Sequence, residues 1–312
     1  MKKIIIIGLS LFSINTFAQD YVYKGINDVE AKIVTNQEEN GSNETTVAAE
    51  CYDPANIGKI IQAQGCEGLL IVDNNSLRQM VLNDENYSDT NIFTGQVTDM
   101  SFLFCNYNDI TVNKYSTCTK KEPIFSISNW NTENVKDMKY LFMHVSTFNQ
   151  SLNNWNVSNV SDMTGMFYNV SDFNQPLNKW DVSNVKSLES MFSLATSFNQ
   201  SLNSWNVGNV TNMQYMFFEA KSFNQPLNNW NVINTENMYG IFYNSINFNQ
   251  PLNSWNVGNV TNMQYMFYNA TIFNQDLSNW CVNNISTKPS VFDTNSGFEN
   301  QTSLQPQWGT CP

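Results

Sequence analysis

The chain has 312 residues, with 15 Lys and Arg against 27 Asp and Glu, a single His and a formal net charge of −12. An acidic chain without a basic stripe argues against nucleic acid or an anionic membrane surface as a partner. One His and six Cys with no Cys-x-x-Cys pair supply no zinc ligand set, so neither a metal nor a cofactor is expected.

Residues 1–18 read as a secretory signal peptide: Lys2 and Lys3, an apolar run from Ile4 to Phe12, then Thr16-Phe17-Ala18 before Gln19. The run is too short to cross a bilayer, and no later stretch approaches about 18 apolar residues, so export is expected and membrane insertion is not. Residues 19–50 are polar and acidic and read as a flexible leader. From Cys51 the composition changes. Gly68-Leu69-Leu70-Ile71-Val72 predicts a short buried strand, followed by a helix with Ser76 as N-cap and Leu77, Met80 and Val81 on one face. Residues 51–91 are therefore assigned to an N-terminal cap, because a repeat array exposes raw apolar surface at its ends.

The array spans residues 92–291. Trp130, Trp155, Trp180, Trp205, Trp230, Trp255 and Trp280 recur every 25 residues, with Phe twelve and eighteen residues after each Trp. Asn134, Asn159, Asn184, Asn209, Asn234, Asn259 and Asn284 form a further invariant series. A fixed period of this length is the signature of stacked supersecondary units. In the unit 202–226, Trp205 and Val207 predict a short strand. Val210, Met213, Met216 and Phe217 then predict a short helix capped by Asn209, and Phe223-Asn224-Gln225-Pro226 turns the chain back. The invariant Asn residues are read as architecture, satisfying backbone groups and stacking in ladders. The expected class is α/β: a right-handed, leucine-rich-repeat-like solenoid of short parallel strands and short helices. An all-β solenoid is the alternative if residues 210–217 are extended.

Six Cys in an exported chain read as disulfides. Cys51 and Cys66 precede the array. Aligning Met100 and Phe104 with Met138 and Phe142 makes that unit 38 residues long, and the excess of 13 equals the Cys105–Cys118 separation. An inserted loop at 105–118, closed by its own disulfide, accounts for this. Cys281 follows the last in-phase Trp, and a bond to Cys311 would staple residues 292–312 over the final unit as a C-terminal cap.

The run Asn-Trp-Asn-Val-Ser-Asn-Val-Ser-Asp-Met-Thr-Gly-Met-Phe at 154–167, with Phe-Asn-Gln-Pro-Leu at 173–177, resembles the 25/26-residue bacterial surface-protein repeat, the DUF285 family. The resemblance covers roughly residues 92–291 at about ten positions per unit. It implies a BspA-like leucine-rich-repeat protein, secreted or displayed at the cell surface.

Catalysis needs a constellation of groups, and none assembles here. His144 is alone, and no Gly-rich phosphate loop or Asp-x-Asp calcium pattern recurs. The expectation is a non-enzymatic binding or adhesion scaffold whose partner is a protein or a glycan at the cell surface, with a passive matrix role as the bland alternative. If Trp and Val face inward, Asn154, Asn156, Asp181, Asn206, Asn229, Asn231 and Asn256 fall on one flat, amide-rich face. A second column, Tyr168, Phe218, Tyr243 and Tyr268, follows the invariant Phe of each unit and would serve stacking on sugars or contact with protein, or simply half-bury between neighbouring helices, the bland reading and the favoured one.

Overall fold

The computed structural model describes residues 47–106 and 119–312. The expected signal peptide, the leader up to residue 46, and Cys118 with most of the inserted loop lie outside the described residues.

The N-terminal cap begins earlier than expected. Residues 47–50, assigned above to the leader, pack with it: the Ala48 N–H donates to the Gln64 carbonyl at 2.8 Å, and Cys51 is bonded to Cys66. Strand β1, Leu70–Ile71, pairs in parallel with β2, Ile92–Phe93, in the register Leu70–Ile92 and Ile71–Phe93. Between them runs helix α1, Asn74–Leu82, which buries Leu77, Met80 and Val81. Its N-cap is Asp73, not Ser76. Ser76 stands three residues into a capping box, its N–H donating to Asp73 Oδ1 at 2.8 Å while its hydroxyl accepts the Asp73 N–H at 2.9 Å. A carboxylate three residues upstream satisfies the orphan N–H groups better than a hydroxyl placed inside the first turn. Asn74 Oδ1 then accepts the Thr98 N–H at 2.7 Å and joins the cap to the first turn of the array.

Within the array the expected helix over residues 210–217 is absent: Asn212 is a bridge residue and residues 214–219 form consecutive turns. The N–H groups of Met216, Phe218 and Ala220 each donate three residues back, to Met213, Tyr215 and Phe217, at 3.0–3.1 Å. The N–H groups between them leave the unit. Met213, Tyr215, Phe217 and Glu219 donate to the carbonyls of Asn237, Tyr239, Ile241 and Tyr243 in the next unit at 2.7–2.9 Å. Tyr215 and Glu219 lie in the left-handed region, at φ 57° and 53°, which an α-helix cannot absorb. Consecutive turns share the i, i+3 spacing of apolar residues with a helix, so the same pattern fits both. The strand expected at Trp205 is also a turn, the Trp205 N–H donating to the Leu202 carbonyl at 3.0 Å. The parallel bridges fall elsewhere, on the column Asp99, Asp137, Asp162, Ser187, Asn212, Asn237 and Asn262, each bonded to the next.

The side chains between these ladders are stacks of rings. From Phe104 through Phe142, Phe167, Phe192, Phe217 and Phe242 to Phe267, successive centroids are 5.4–5.8 Å apart with planes within 13°. The series Phe148 to Phe273 runs at 5.9–6.0 Å. Trp130 and Trp155, Trp180 and Trp205, Trp230 and Trp255, and Trp255 and Trp280 stack at 6.1–6.4 Å. Each buried indole also needs a partner. From Trp155 to Trp280, Nε1 donates at 2.9–3.0 Å to the carbonyl 28 residues earlier, beside the Trp of the preceding unit. Asn209 is not a helix cap; its Nδ2 donates to the Ser183 carbonyl at 2.7 Å, and its equivalents repeat the bond.

Both ends are closed by rings turned edge-on. Buried Tyr87 meets Phe104 and Trp130 at 61° and 69°. At the other end Phe292 meets Phe267 at 85°, and Phe298 meets Phe273 at 76°. The Cys281–Cys311 disulfide fastens the tail, where Leu277 and Val282 donate to the carbonyls of Leu304 and Thr310 at 2.8 and 2.9 Å. Lys288, standing where other units have Met or Leu, pairs with buried Asp293 at 2.6 Å. The inserted loop is pinned at its base by β3, Cys105–Asn106, antiparallel to β4, Thr119–Lys120, and Cys105 is disulfide-bonded.

Two measurements check this architecture. Helix α1 is the one α-helix among the described residues, so far-UV circular dichroism of the protein should lack a strong helical double minimum. Gly240 has φ 56°, and a Cβ there would lie 2.6 Å from the Tyr215 ring. Gly240→Ala should therefore destabilise by more than the roughly 1–2 kcal/mol that a left-handed L-residue costs. Adding Tyr215→Ser, the residue found at the matching Ser190, should restore the steric part but not the conformational part, as read by chemical denaturation.

Candidate recognition surfaces

The amide-rich face is where the inward Trp predicts it: Asn154, Asn156, Asp181, Asn206, Asn229, Asn231 and Asn256 are all exposed. Much of its polarity is already engaged. Oδ1 of Asn156, Asp181, Asn206, Asn231 and Asn256 accepts the N–H two residues on, at 3.0–3.2 Å, which builds a turn in each unit. Asn229 lends its N–H to Asn203 Oδ1 at 3.1 Å. Among the described residues no hydrogen bond takes up Nδ2 of Asn206, Asn231 or Asn256, so the donor halves of these amides form the outward column. Asp181 is the acidic member. The Ser183 hydroxyl and N–H hold its carboxyl below the usual range, and it is ionised at neutral pH.

Near the cap this face contains a shallow polar depression of about 280 Å³, lined by Asn129, Trp130, Asn131, Thr132, Glu133, Asn154 and Asn156. Tyr52 of the cap bonds to two of these residues. Its hydroxyl donates to Glu133 Oε1 and accepts from Asn131 Nδ2 at 3.2 Å. Burial, and then the bond to the carboxylate, push its pKa up to about 12.

The aromatic column is half-buried at all four positions, but it divides in two. Tyr168 meets His144 edge-on at 5.4 Å and packs against the buried cluster of Cys105, Tyr140 and Met143. His144 occupies the left-handed turn position, φ 64°, and its Nδ1 faces Asn169 Nδ2 at 2.9 Å. The unit after Tyr168 has Ser193 at this position, and the column resumes with Phe218, Tyr243 and Tyr268, stacked at 4.8 and 4.7 Å.

Here the structure adds three rings that the sequence reading passed over. Tyr215 meets Phe218 and Tyr239 at 5.2 and 5.0 Å, and Tyr265 meets Tyr239, Tyr243 and Tyr268 at 5.3–6.1 Å. All three are half-buried like the column they join. Their signal in the sequence is two non-core aromatics per unit in three consecutive units: 214–218, 239–243 and 264–268. Glu219 borders the patch, accepting from Asn244 Nδ2 at 3.1 Å and pairing with Lys221 at 3.6 Å. Burial, and then the neighbouring Tyr268 and Glu219, raise the Tyr243 pKa above its ordinary value.

Asp137 and Asp162 of the bridge column share Lys139 at 2.8 and 3.8 Å, and each turns its Oδ1 to the N–H two residues on. Among the described residues no group of three or more His, Cys, Asp and Glu is placed to hold a metal ion. No helix among them is long and apolar enough to cross a membrane, and the disulfides are compatible with an extracellular location.

These features define a disulfide-bonded repeat protein with stacked aromatic columns inside and amide-rich and aromatic columns outside. The chain belongs to the family described as Mycoplasma protein of unknown function, DUF285, which matches residues 75–201, 111–225 and 200–305. No curated protein and no solved structure matches it.

The sign of the Tyr52 shift sets a pH test. A phenol whose pKa is raised on folding contributes stability below its unfolded value, about 10, and loses it as pH rises through about 12. Alkaline unfolding between these limits should be less steep in Tyr52→Phe than in the parent, with tyrosinate absorbance following the lost difference.

Proposed function

We propose that this chain is a secreted or surface-displayed, non-enzymatic binding scaffold of the BspA-like kind, its turns winding as a solenoid. The parallel bridges and the 25-residue register of hydrogen bonds support the winding, each strand-plus-helix unit being replaced by a run of turns. The observation that carries the functional reading is the patch of Tyr215, Phe218, Tyr239, Tyr243, Tyr265 and Tyr268. Its rings are not needed to make the turn: Ser190 has φ 55° where Tyr215 has 57° and Tyr265 has 58°, and Ser193 replaces the neighbouring ring. A half-buried aromatic feature that the backbone does not require, repeated on three successive units, supports an interaction surface by the ordinary logic of partly exposed apolar patches.

The amide-rich face supports a second reading. Its outward Nδ2 column and the depression at Asn154 and Asn156 suit hydrogen bonding to a glycan or to polypeptide carbonyls. The two faces separate by substitutions that the repeat itself tolerates. Tyr239→Gln with Tyr265→Ser uses residues standing at Gln214 and Ser190, while Asn206→Asp, Asn231→Asp and Asn256→Asp keep the turn-forming oxygen, as at Asp181. On arrays of matrix proteins and polysaccharides, the tyrosine pair should lose about tenfold or more in affinity and the Asp set should change little. The reverse pattern moves recognition to the amide face; retention of binding in both sets removes both surfaces.

A further inference from the structure

The aromatic patch has a polarity of its own. Its central rings are not a flat floor: Tyr215 stands at 85° to Tyr239 and 84° to Phe218, Tyr239 at 53° to Tyr265, and Tyr265 at 67° to Tyr268. The faces of Tyr243 are covered by Phe218 and Tyr268, which lie within 24° of parallel to it. A sugar ring stacks best on an open, flat aromatic face, and this patch offers steep walls and phenol edges. Such walls suit a cation, which needs only the negative face of one ring within about 6 Å and gains from a nearby carboxylate.

Charge points the same way. Glu219 borders the patch, held there by Asn244 Nδ2 at 3.1 Å, and its carboxylate acts electrostatically on Tyr243 within it. The cation paired with it, Lys221, is half-exposed and 3.6 Å away, a contact that an incoming guanidinium can replace. The net charge of −12 opposes a second copy of the chain on this surface and favours a basic one.

Resting on the reading of this patch as a recognition surface, we propose that it binds an extended basic segment of a partner protein. Its Arg or Lys side chains would lie against Tyr215, Tyr239 and Tyr265, with their charged ends toward Glu219. Three units stacked about 4.8 Å apart span roughly 10 Å, and a strand presents same-side residues about 7 Å apart. The patch therefore takes two cationic side chains at i and i+2. Their aliphatic stems cover the half-buried rings while the charged ends stay hydrated.

The test uses the full exported chain and a labelled ten-residue peptide of alternating Arg and Ser, titrated by fluorescence anisotropy at about 0.15 M salt. Tyr239→Gln with Tyr265→Ser leaves the net charge unchanged and should weaken binding about tenfold; Glu219→Gln should weaken it severalfold. Circular dichroism and the denaturation midpoint confirm that each variant is folded. Equal binding by parent and tyrosine variant means diffuse attraction to an acidic protein and overturns the proposal, as does failure of the parent to bind. If the same variant instead loses binding to a neutral glycan, the basic partner is wrong and the recognition surface stands. If it loses binding to nothing on the arrays, both fall.

Discussion

The structure depends on the requirement that every unit repeat its length. Each turn-rich unit gives half of the N–H groups in its ring-bearing segment to the next unit, as Met213, Tyr215, Phe217 and Glu219 do. An insertion or deletion of one residue within a unit would move the donors that span it off their carbonyls and that unit's rings off the stack. Backbone groups buried in this way must be paired, and within a unit the turns satisfy only the alternate ones. The 25-residue period is therefore a hydrogen-bonding constraint first and a packing pattern second. The 38-residue unit obeys it too: β3 and β4 pair, Cys105 with Lys120, and the register resumes after them.

Phe and Trp follow from that constraint. A unit with no helix or long strand of its own has few internal bonds, so its stability comes from the bonds and stacks it makes with its neighbours. Rings stacked within 13° fill a narrow core with little lost rotamer freedom, and truncating a buried Phe costs on the order of 3–5 kcal/mol. The stacks must also stop. Tyr87 at one end and Phe292 and Phe298 at the other turn edge-on and cover the last ring faces, so the caps end the column with the chemistry that builds it.

Reading the sequence recovered the repeat, its inward residues and the outward placement of the Asn column, because phase alone decides these. Trp205, Val207, Val210, Met213, Met216 and Phe217 are all buried as the pattern requires. The local conformation was not recoverable in the same way. An i, i+3 spacing cannot distinguish a helix from consecutive turns, and the distinguishing feature, a left-handed residue at every fourth or so position of the segment, is occupied by Tyr215 and Glu219, which carry no such signal. Gly165 and Gly240 were the visible clue: two glycines at the position of Tyr140 and Tyr215, each lying under the preceding tyrosine ring. The side-by-side rings Tyr215, Tyr239 and Tyr265 stand three or four residues before Phe218, Tyr243 and Tyr268, a spacing that places each pair on one face under a helical reading as well, so this part of the patch was legible and was passed over.

An array of this kind carries its own control for separating architecture from function. Where a position is filled identically in every unit and its atoms are spent on the neighbour, as with the Asn209 amide on the Ser183 carbonyl, the turn itself explains the residue. Where Ser, Gly and Tyr share one position at the same φ, the backbone explains none of them in particular. Gly240 beside Tyr239 makes the point most sharply: the unit places its tyrosine one residue earlier than its neighbours do, and the ring still joins Tyr215 and Tyr265 at 5.0 and 5.3 Å. The contact among the rings persists although the sequence position has shifted, and the core beneath keeps Phe217, Phe242 and Phe267 in unbroken stack. What this part of the molecule holds constant is therefore an aromatic surface and not a residue required by the turn.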